Sequence, residues 1–425
     1  MPPLNPDEQY KFKVLTEATG GKLTNNQASK LLHISVRQLQ RLKKEVLQHG
    51  VLAVIHKLKG KPGNHSIEKS VKSNVLITIK QAYPDFKPSF AAEKLKENHG
   101  LIVNPETLRL WMSEEGLWKP HQQRKVNYHA WRERKDYFGE LEQFDGSYHF
   151  WFEQRLLNEF GFPQEVCLLA SIDDATGKIT HAKFDFNEGV VAVFNFWMEY
   201  VLTVGKPLAI YLDKFSTYKI NHKSAVDNFE LMTQFQKAMK LLSIEVINAN
   251  SPQAKGRIER LFGTLQDRLV KELRLNNLSS ITEANLFLKE FIPKFNAQFS
   301  VIPTLDENIH RQLTQREKRS LKSIFSIKST RRINQDFTIQ FKNHFYQLEE
   351  IQPTTIRPKN TLLVEEWLDK TIHFRFREHY LKCFILPGKP EKIFRQPVIL
   401  TSHPLNYKPP PNHPWRRYKN PLPRG

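Results

Sequence analysis

The stretch SPQAKGRIERLFGTLQDRLVKEL, residues 251–273, opens as a helix and sets one carboxylate, Glu259, between Arg257 and Arg260. Ser251 suits a cap and Pro252 the first helical position, where a missing N–H costs nothing. Ile258, Leu261, Leu265 and Leu269, with Phe262, recur at helical spacing and make a stripe for burial. Glu259 falls about 100° round the helix from Ile258, on the border of that stripe, so it points along the edge of whatever the helix packs against. Lys255 precedes it by one turn on its own face. An Arg-Glu-Arg triplet taken alone is ordinary ion pairing on a helix surface, so its company has to decide.

That company lies upstream. GELEQFDGSYHFWFEQ, 139–154, alternates Leu141, Gln143 and Asp145 against Glu142 and Phe144 before Gly146-Ser147, the pattern of a strand that ends or bulges beside Asp145. VCLLASIDDATGKITHAKFDF, 166–186, makes two strands around a turn. EGVVAVFNFWMEYVLTV, 188–204, makes an apolar helix, and KPLAIYLD, 206–213, a buried strand ending on Asp213. A helix near 223–241 and the strand IEVINA, 244–249, lead into the opening stretch. Three adjoining strands followed by helix-strand-helix-strand-helix is a mixed α/β sheet, one domain in size at about 160 residues.

Three acids stand out: strand-borne Asp145, strand-end Asp213 and helical Glu259. Hard divalent cations want carboxylate oxygens, and two such ions about 3.5–4 Å apart serve both oxygens of an in-line phosphoryl displacement. Clustered without metal, three acids would repel. The other acids have local uses. Asp173 and Asp174 fit turn chemistry, Asp185 and Glu188 a helix N-terminus, and His149 a satisfied strand position.

Charge organises the rest. The chain of 425 residues carries 64 Lys+Arg against 44 Asp+Glu, a formal charge of +20. By segment the balance is +11 over 1–139, −3 over 140–300 and +12 over 301–425. A near-neutral centre between two basic wings fits wings that hold a phosphate backbone while the centre does chemistry on it. The N-terminus lacks a positive start followed by an apolar run, and no stretch of about 18 apolar residues occurs, so neither export nor membrane insertion is expected. Cys167 and Cys383 both sit in apolar runs, read as buried core thiols in a reducing compartment, and are too few for a zinc cluster.

In the first wing, LTNNQASKLLHISVRQLQRLKKEVLQH, 23–49, reads as a helix-turn-helix with Thr24 and Ser35 as caps. Ala28, Leu31 and Leu32, then Val36, Leu39, Leu42 and Val46, face inward. Arg37, Gln38, Arg41 and Lys44 are left to face base edges and phosphates. HKLKGKPGNHS, 56–66, is a basic linker in which Lys59 and Lys61 either follow the DNA or are simply solvated. A second helical unit at 88–118 takes its core from Phe90, Leu95, Val103, Leu108 and Trp111 and exposes Thr107 and Arg109. A basic connector, 121–135, follows. In the last wing, alternation from 333 to 386 predicts a small antiparallel barrel. Residues 401–425 hold seven prolines, five Lys/Arg and no acid, and cannot bury a core.

Taken together, FGELEQFDGSYHFWFE, YLDKFSTYKIN, INANSPQAKGRIERLFGTLQDRLVKELR and EANLFLKEFIPKFNAQF resemble the DDE transposases of bacterial insertion sequences, in the retroviral-integrase superfamily, most like the ISNCY group. The resemblance spans roughly 20–350. It implies an RNase H-like integrase core in which Asp145, Asp213 and Glu259 bind two Mg²⁺ or Mn²⁺ ions, an SH3-like C-terminal barrel, and at least a dimer that synapses two DNA ends. It also implies a histidine where Phe215 stands. The expected layout is a helix-turn-helix domain and linker at 1–66, a second helical DNA-binding domain and connector at 67–135, the catalytic core at 136–305, a helical linker and β-barrel at 306–390 and a basic Pro-rich tail at 391–425. The function expected is metal-dependent cleavage and strand transfer of double-stranded DNA at element ends and target, in the cytoplasm beside the nucleoid. Lys255, Arg257 and Arg260 serve as phosphate contacts in that reading. The alternatives are a catalytically silent DNA-binding regulator of the same descent and an RNase H-type nuclease without joining activity.

Overall fold

A computed structural model describes residues 4–56, 59, 67–120, 133–213, 234–249, 255–388, 408 and 410–414; the side chains of Asp213 and Ala249 lie outside the described set. The chain divides into two compact units, Met1–Val126 and Asn127–Gly425.

The first unit is helical: α1 (Pro6–Thr19), α2 (Asn25–Leu31), α3 (Val36–His49), a 3₁₀ turn at Gly50–Val54, α4 (Lys69–Ala82), α5 (Pro88–His99) and α6 (Pro105–Glu114). Thr24 and Ser35 cap α2 and α3 as their sequence predicts, and Asn5 forms a capping box with Glu8 on α1, a helix the sequence reading did not mark. That helix supplies Val14, Leu15 and Ala18 to the core shared with Ala28, Leu39 and Val46. Leu31, expected inside, is exposed: Ala28 and Ser29 take the inner face of the two-turn α2 instead. A separate cluster of Val75, Ile79, Tyr83, Phe86, Phe90, Leu95, Leu108 and Met112 holds α4, α5 and α6.

In the second unit, a five-stranded sheet has the order β4-β3-β2-β5-β6, formed by β2 (Leu141–His149), β3 (Val166–Asp173), β4 (Ile179–Asp185), β5 (Ala209–Asp213) and β6 (Glu245–Ala249). β2, β3 and β4 are antiparallel; β5 and β6 run parallel to β2. A two-residue β1 (Tyr137–Phe138) precedes the sheet and pairs with β7 (Leu305–Asn308). One face of the large sheet packs α7 (Val190–Thr203) and the helical stretch 234–241 against Phe144, Cys167, Leu169, Ile210 and Leu212. The other packs α8 (Gly256–Leu275) and α9 (Ile281–Phe299) against Val166, Leu168, Ala170 and Ile172. β3, covered on both faces, is buried at every position, which is why VCLLASID is apolar without alternation.

Two local expectations change. β2 neither ends nor bulges at Asp145; its pairing with β3 runs in register from Glu142↔Asp173 to His149↔Val166, because Gly146 keeps extended backbone where a Cβ would collide with the Glu188 carboxylate and the Cys167 sulfur. α8 starts at Gly256, with Lys255 at the cap position and no side-chain cap of its own. Ser251 and Pro252 lie outside the described residues, and the described helix begins after them. This puts Glu259 in its first turn.

Beyond α10 (Gln315–Ile324), the short strands make two antiparallel sheets, not a closed barrel. β9 (Thr338–Phe341), β10 (His344–Leu348) and β14 (Cys383–Leu386) form one. β8 (Ile327–Arg332), β11 (Thr361–Glu366), β12 (Ile372–Phe376) and β13 (His379–Tyr380) form the other. Both contribute to one core around Phe337, Ile339, Phe341, Leu348, Val364 and Phe374. Period-two alternation tells which face is buried, but closure depends on stagger and strand length, and these strands are too short to continue one ladder into the next. Cys383 is only partly buried there, whereas Cys167 is sealed in the main sheet. Apart from 408 and 410–414, the Pro-rich tail lies outside the described residues.

Candidate active site

The site begins with the alternation of β2. Cross-strand partners share a face, and Asp145 pairs with Ala170, which belongs to the core under α8. Gln143, Asp145 and Ser147 therefore face the helix that carries Glu259. Three contacts lay that helix along the strand. The Ile258 N–H donates to Gln143 Oε1 at 3.2 Å, Lys255 Nζ lies 3.1 Å from Asp145 Oδ1, and Gln266 Nε2 donates to Ser147 Oγ at 3.1 Å. The rise from Ile258 to Gln266, about 12 Å of helix, matches the roughly 13 Å of strand from Gln143 to Ser147, so α8 runs alongside β2.

Gln143 acts as a cap supplied from another element. α8 has no cap of its own, and a first-turn N–H left without a partner in the interior would be costly. Gln143 accepts from that N–H, while its own Nε2 donates to Asp174 Oδ1 at 2.7 Å. The same Asp174 oxygen receives Arg257 Nη1 at 2.8 Å, and Asp174 Oδ2 accepts the Lys135 N–H at 3.0 Å. Asp173 and Asp174 do serve their turn: Asp173 Oδ1 takes the Thr176 N–H and hydroxyl at 2.7 and 2.6 Å. They also reach beyond it, since Asp173 Oδ2 accepts the Gly139 N–H at 3.0 Å. Burial pushes the Asp173 carboxyl above its usual range.

Asp213 enters through the backbone. β2 and β5 pair as Leu141↔Ala209, Glu142↔Ile210 and Gln143↔Tyr211, and each strand runs on past that last pair, β2 through Asp145 and β5 to Asp213. Asp213 is the last residue of β5 and pairs with Ala249 of β6. Glu259 is exposed in the first turn of α8. Among the described residues no three His, Cys, Asp or Glu side chains already form a metal-holding group.

On the opposite face of β2, Glu142 is fully buried. Its Oε2 accepts the Thr180 hydroxyl at 2.6 Å, and its Oε1 lies 3.9 Å from His310 Nε2, which is itself 2.8 Å from the Tyr200 hydroxyl. Burial, reinforced by the charge of Asp173, raises the Glu142 carboxyl well above the ordinary range, and burial alone lowers His310 to about 4. Glu188, expected to serve the start of α7, does not cap it. Gly189 takes the cap position without a side-chain bond, and the Glu188 carboxylate leans over Gly146 while its N–H donates to the Tyr148 hydroxyl at 2.8 Å. His149 stands edge-on to Trp151 with burial lowering its pKa.

No protein-family model matches the sequence. A protein of Sinorhizobium fredii named as a transposase, y4bF, is 36% identical over 371 residues, covering 87% of this chain and 79% of its own length. The transposase for insertion sequence IS1202 of Streptococcus pneumoniae is 27% identical over 449 residues, 96% of this chain and 93% of its own. The chain belongs to the transposases. Among solved structures, the magnesium complex of the HTLV-2 integrase catalytic core domain is 16% identical, with a TM-score of 0.26 over 36% of this chain and 82% of that one. A chain of the simian T-cell lymphotropic virus intasome bound to PP2A regulatory subunit B56 gamma is 13% identical, with a TM-score of 0.31 over 70% of this chain and 99% of that one. Likeness at these scores is too weak to add to what the sheet order says.

The basic residues of the transposase fall into different surroundings. Arg37, Gln38, Arg41 and Lys44 are all exposed on α3. Arg109 on α6 is paired with Glu106 one turn back and lies over the Trp118 ring. Lys59 is paired with Glu8. Arg260 is exposed beside Glu259, whereas Lys255 and Arg257 already hold Asp145 and Asp174. Lys61 and Phe215 lie outside the described residues. Sequence reasoning missed Gln143, Ser147 and Gln266. Nothing in a lone polar residue announces its partner, although Gln143 shares Asp145's face at a spacing of two.

Proposed function

We propose that this transposase cleaves DNA at the ends of its element and joins the freed ends to target DNA, with Asp145, Asp213 and Glu259 as the acidic triad of an RNase H-like core. The observation that supports the reading is the placing of α8: its first turn, which bears Glu259, is held against the Asp145 face of β2, and β5, which ends on Asp213, pairs in parallel with the same strand. In the first step water attacks a phosphodiester at the element end, the bond from phosphorus to the 3′ oxygen breaks, and a 3′-hydroxyl leaves. In the second that hydroxyl attacks a target phosphodiester, forming one bond and releasing one 3′ oxygen, so each step is balanced.

The donor set fits divalent metal. It offers hard carboxylate oxygens, and the buried Lys255 ammonium on Asp145 Oδ1 marks a place where positive charge is favoured. Bound Mg²⁺ or Mn²⁺, as a pair, would supply activation of the attacking oxygen and charge relief at the leaving one. The chain's own residues do the positioning: Gln143 and Asp174 fix the first turn of α8, and Arg260 presents its charge to phosphate beside Glu259. The α2–α3 pair acts as a helix-turn-helix whose Arg37, Gln38, Arg41 and Lys44 read the element end, aided by Lys59, Lys61 and Arg109. Contact of the C-terminal sheets with DNA or a partner subunit and a homo-oligomer that pairs two ends complete the reading.

The test is cleavage and joining of element-end DNA by wild type and Asp213→Ala in Mg²⁺, with DNA binding measured in parallel. Loss of both reactions with binding retained is expected. Unchanged cleavage removes Asp213 from the site, and binding without cleavage in either form marks a silent regulator.

A further inference from the structure

We infer that Lys255 is an internal counter-cation that keeps divalent metal off Asp145 until a DNA phosphate draws it away. This rests on reading Asp145 as a metal ligand.

The Lys255 side chain is only 4% exposed, and its Nζ stands 3.1 Å from Asp145 Oδ1, with Asp145 30% exposed. A buried ammonium without a negative partner is expensive, so in the DNA-free protein Lys255 is committed to Asp145 and is not a waiting surface contact. The commitment is reversible by construction. Just after Lys255 the backbone is held at Ile258, whose N–H donates to Gln143, and the Arg257 guanidinium is held by Asp174. Lys255 itself occupies the cap position outside the regular turns, at φ −103° and ψ 12°. A lysine there keeps a fixed root and a flexible four-carbon stem with a compact charge, whereas an arginine would grip the carboxylate in two-point fashion.

The consequence is competition. A divalent ion approaching Asp145 meets a positive charge a few ångströms away in a partly dry site, where repulsion is weakly screened. A phosphate oxygen gives Lys255 another partner and returns the Asp145 charge to the metal. DNA and metal then favour each other, and the coupling is reciprocal. Metal-dependent chemistry without a docked substrate is thereby suppressed.

The test uses the full chain without DNA and Mn²⁺ alone, with binding read by calorimetry and by the free-ion paramagnetic resonance signal. Lys255→Gln and Lys255→Met, the second preserving the apolar stem should the first fail to fold, are expected to bind Mn²⁺ about tenfold more tightly than wild type. Lys255→Arg, which keeps the charge, should bind no more tightly than wild type. Asp145→Asn should lose the Mn²⁺ site. If Asp145→Asn binds Mn²⁺ as wild type does, the metal reading of Asp145 fails. If Asp145→Asn loses the ion but both uncharged Lys255 variants bind no better than wild type, that reading stands and the competition proposed here is wrong.

Discussion

Two acids three residues apart on β2 meet opposite fates. Asp145 faces α8, keeps a third of its side chain in solvent and sits against an ammonium; Glu142 faces α7, is sealed, and has a hydroxyl and a low-pKa histidine for neighbours. One strand thus presents a carboxylate whose charge is supported and another whose charge is opposed. The difference teaches that the pleat, by sending alternate residues to different layers, gives two carboxylates opposite electrostatic surroundings within a few ångströms of chain.

The most severe way to break this comparison is to remove the acid on the open face. Asp145→Asn should lower cleavage and strand transfer by three orders of magnitude or more, since several kcal/mol of transition-state stabilisation depends on a metal-binding carboxylate. The thermal midpoint should fall as well, because the buried Lys255 ammonium loses its carboxylate, so the assay is run well below the variant's midpoint with DNA binding measured in parallel. Asp174→Ala attacks the scaffold instead, leaving the Arg257 guanidinium and the Gln143 amide without their shared oxygen. Breaking a buried pair of this kind costs about 3–5 kcal/mol, seen as a fall in the denaturation midpoint with activity lost in step. Gln143→Leu is milder: the Ile258 N–H loses its acceptor, for about 1–3 kcal/mol of stability. A drop of 10–100-fold in Mg²⁺ affinity or strand transfer would distinguish positioning of α8 from mere packing.

The sealed face is sharpened by pH. Because the folded-state pKa of Glu142 is raised, folding takes up a proton there. Its contribution is fully present below the ordinary carboxylate range and is lost as pH rises toward the elevated value, at up to about 1.4 kcal/mol per pH unit. Glu142→Gln keeps an acceptor for Thr180 without the charge. Urea midpoints measured from pH 4 to 8 should show this variant gaining on wild type as pH rises; parallel curves would mean that Glu142 is charged in the fold. Smallest of all in stability, Arg37→Ala and Arg41→Ala on the exposed face of α3 should shift the midpoint by no more than about 0.5 kcal/mol. Each should still reduce the salt dependence of DNA binding by about one counterion.

Much of this was legible in the sequence. Patterns with a short period survived: the apolar run of β3, the stripe of Ile258, Leu261, Leu265 and Leu269, and the caps at Thr24 and Ser35 each encode a local geometry that the neighbouring residues enforce. The order of Asp145, Asp213 and Glu259 along the chain raises the acidic triad proposed above, because the residue types and the elements bearing them are enough to suggest it. The cap and first turn expected at Ser251 and Pro252 lie outside the described residues, and the acceptor that Gln143 supplies to the first turn of α8 has no local signature because it comes from a distant strand. Barrel closure was misjudged because alternation is blind to stagger.

What the sequence settled alone, then, is the identity of the buried faces and the placing of charge by segment, since hydrophobic period and composition are local properties. Only the tertiary structure could decide that Lys255 holds Asp145 and Arg257 holds Asp174. A side chain's charge is written in the chain, but its partner and its dielectric are set by whatever folding brings within 3 or 4 Å, and no spacing rule carries that information across about a hundred residues.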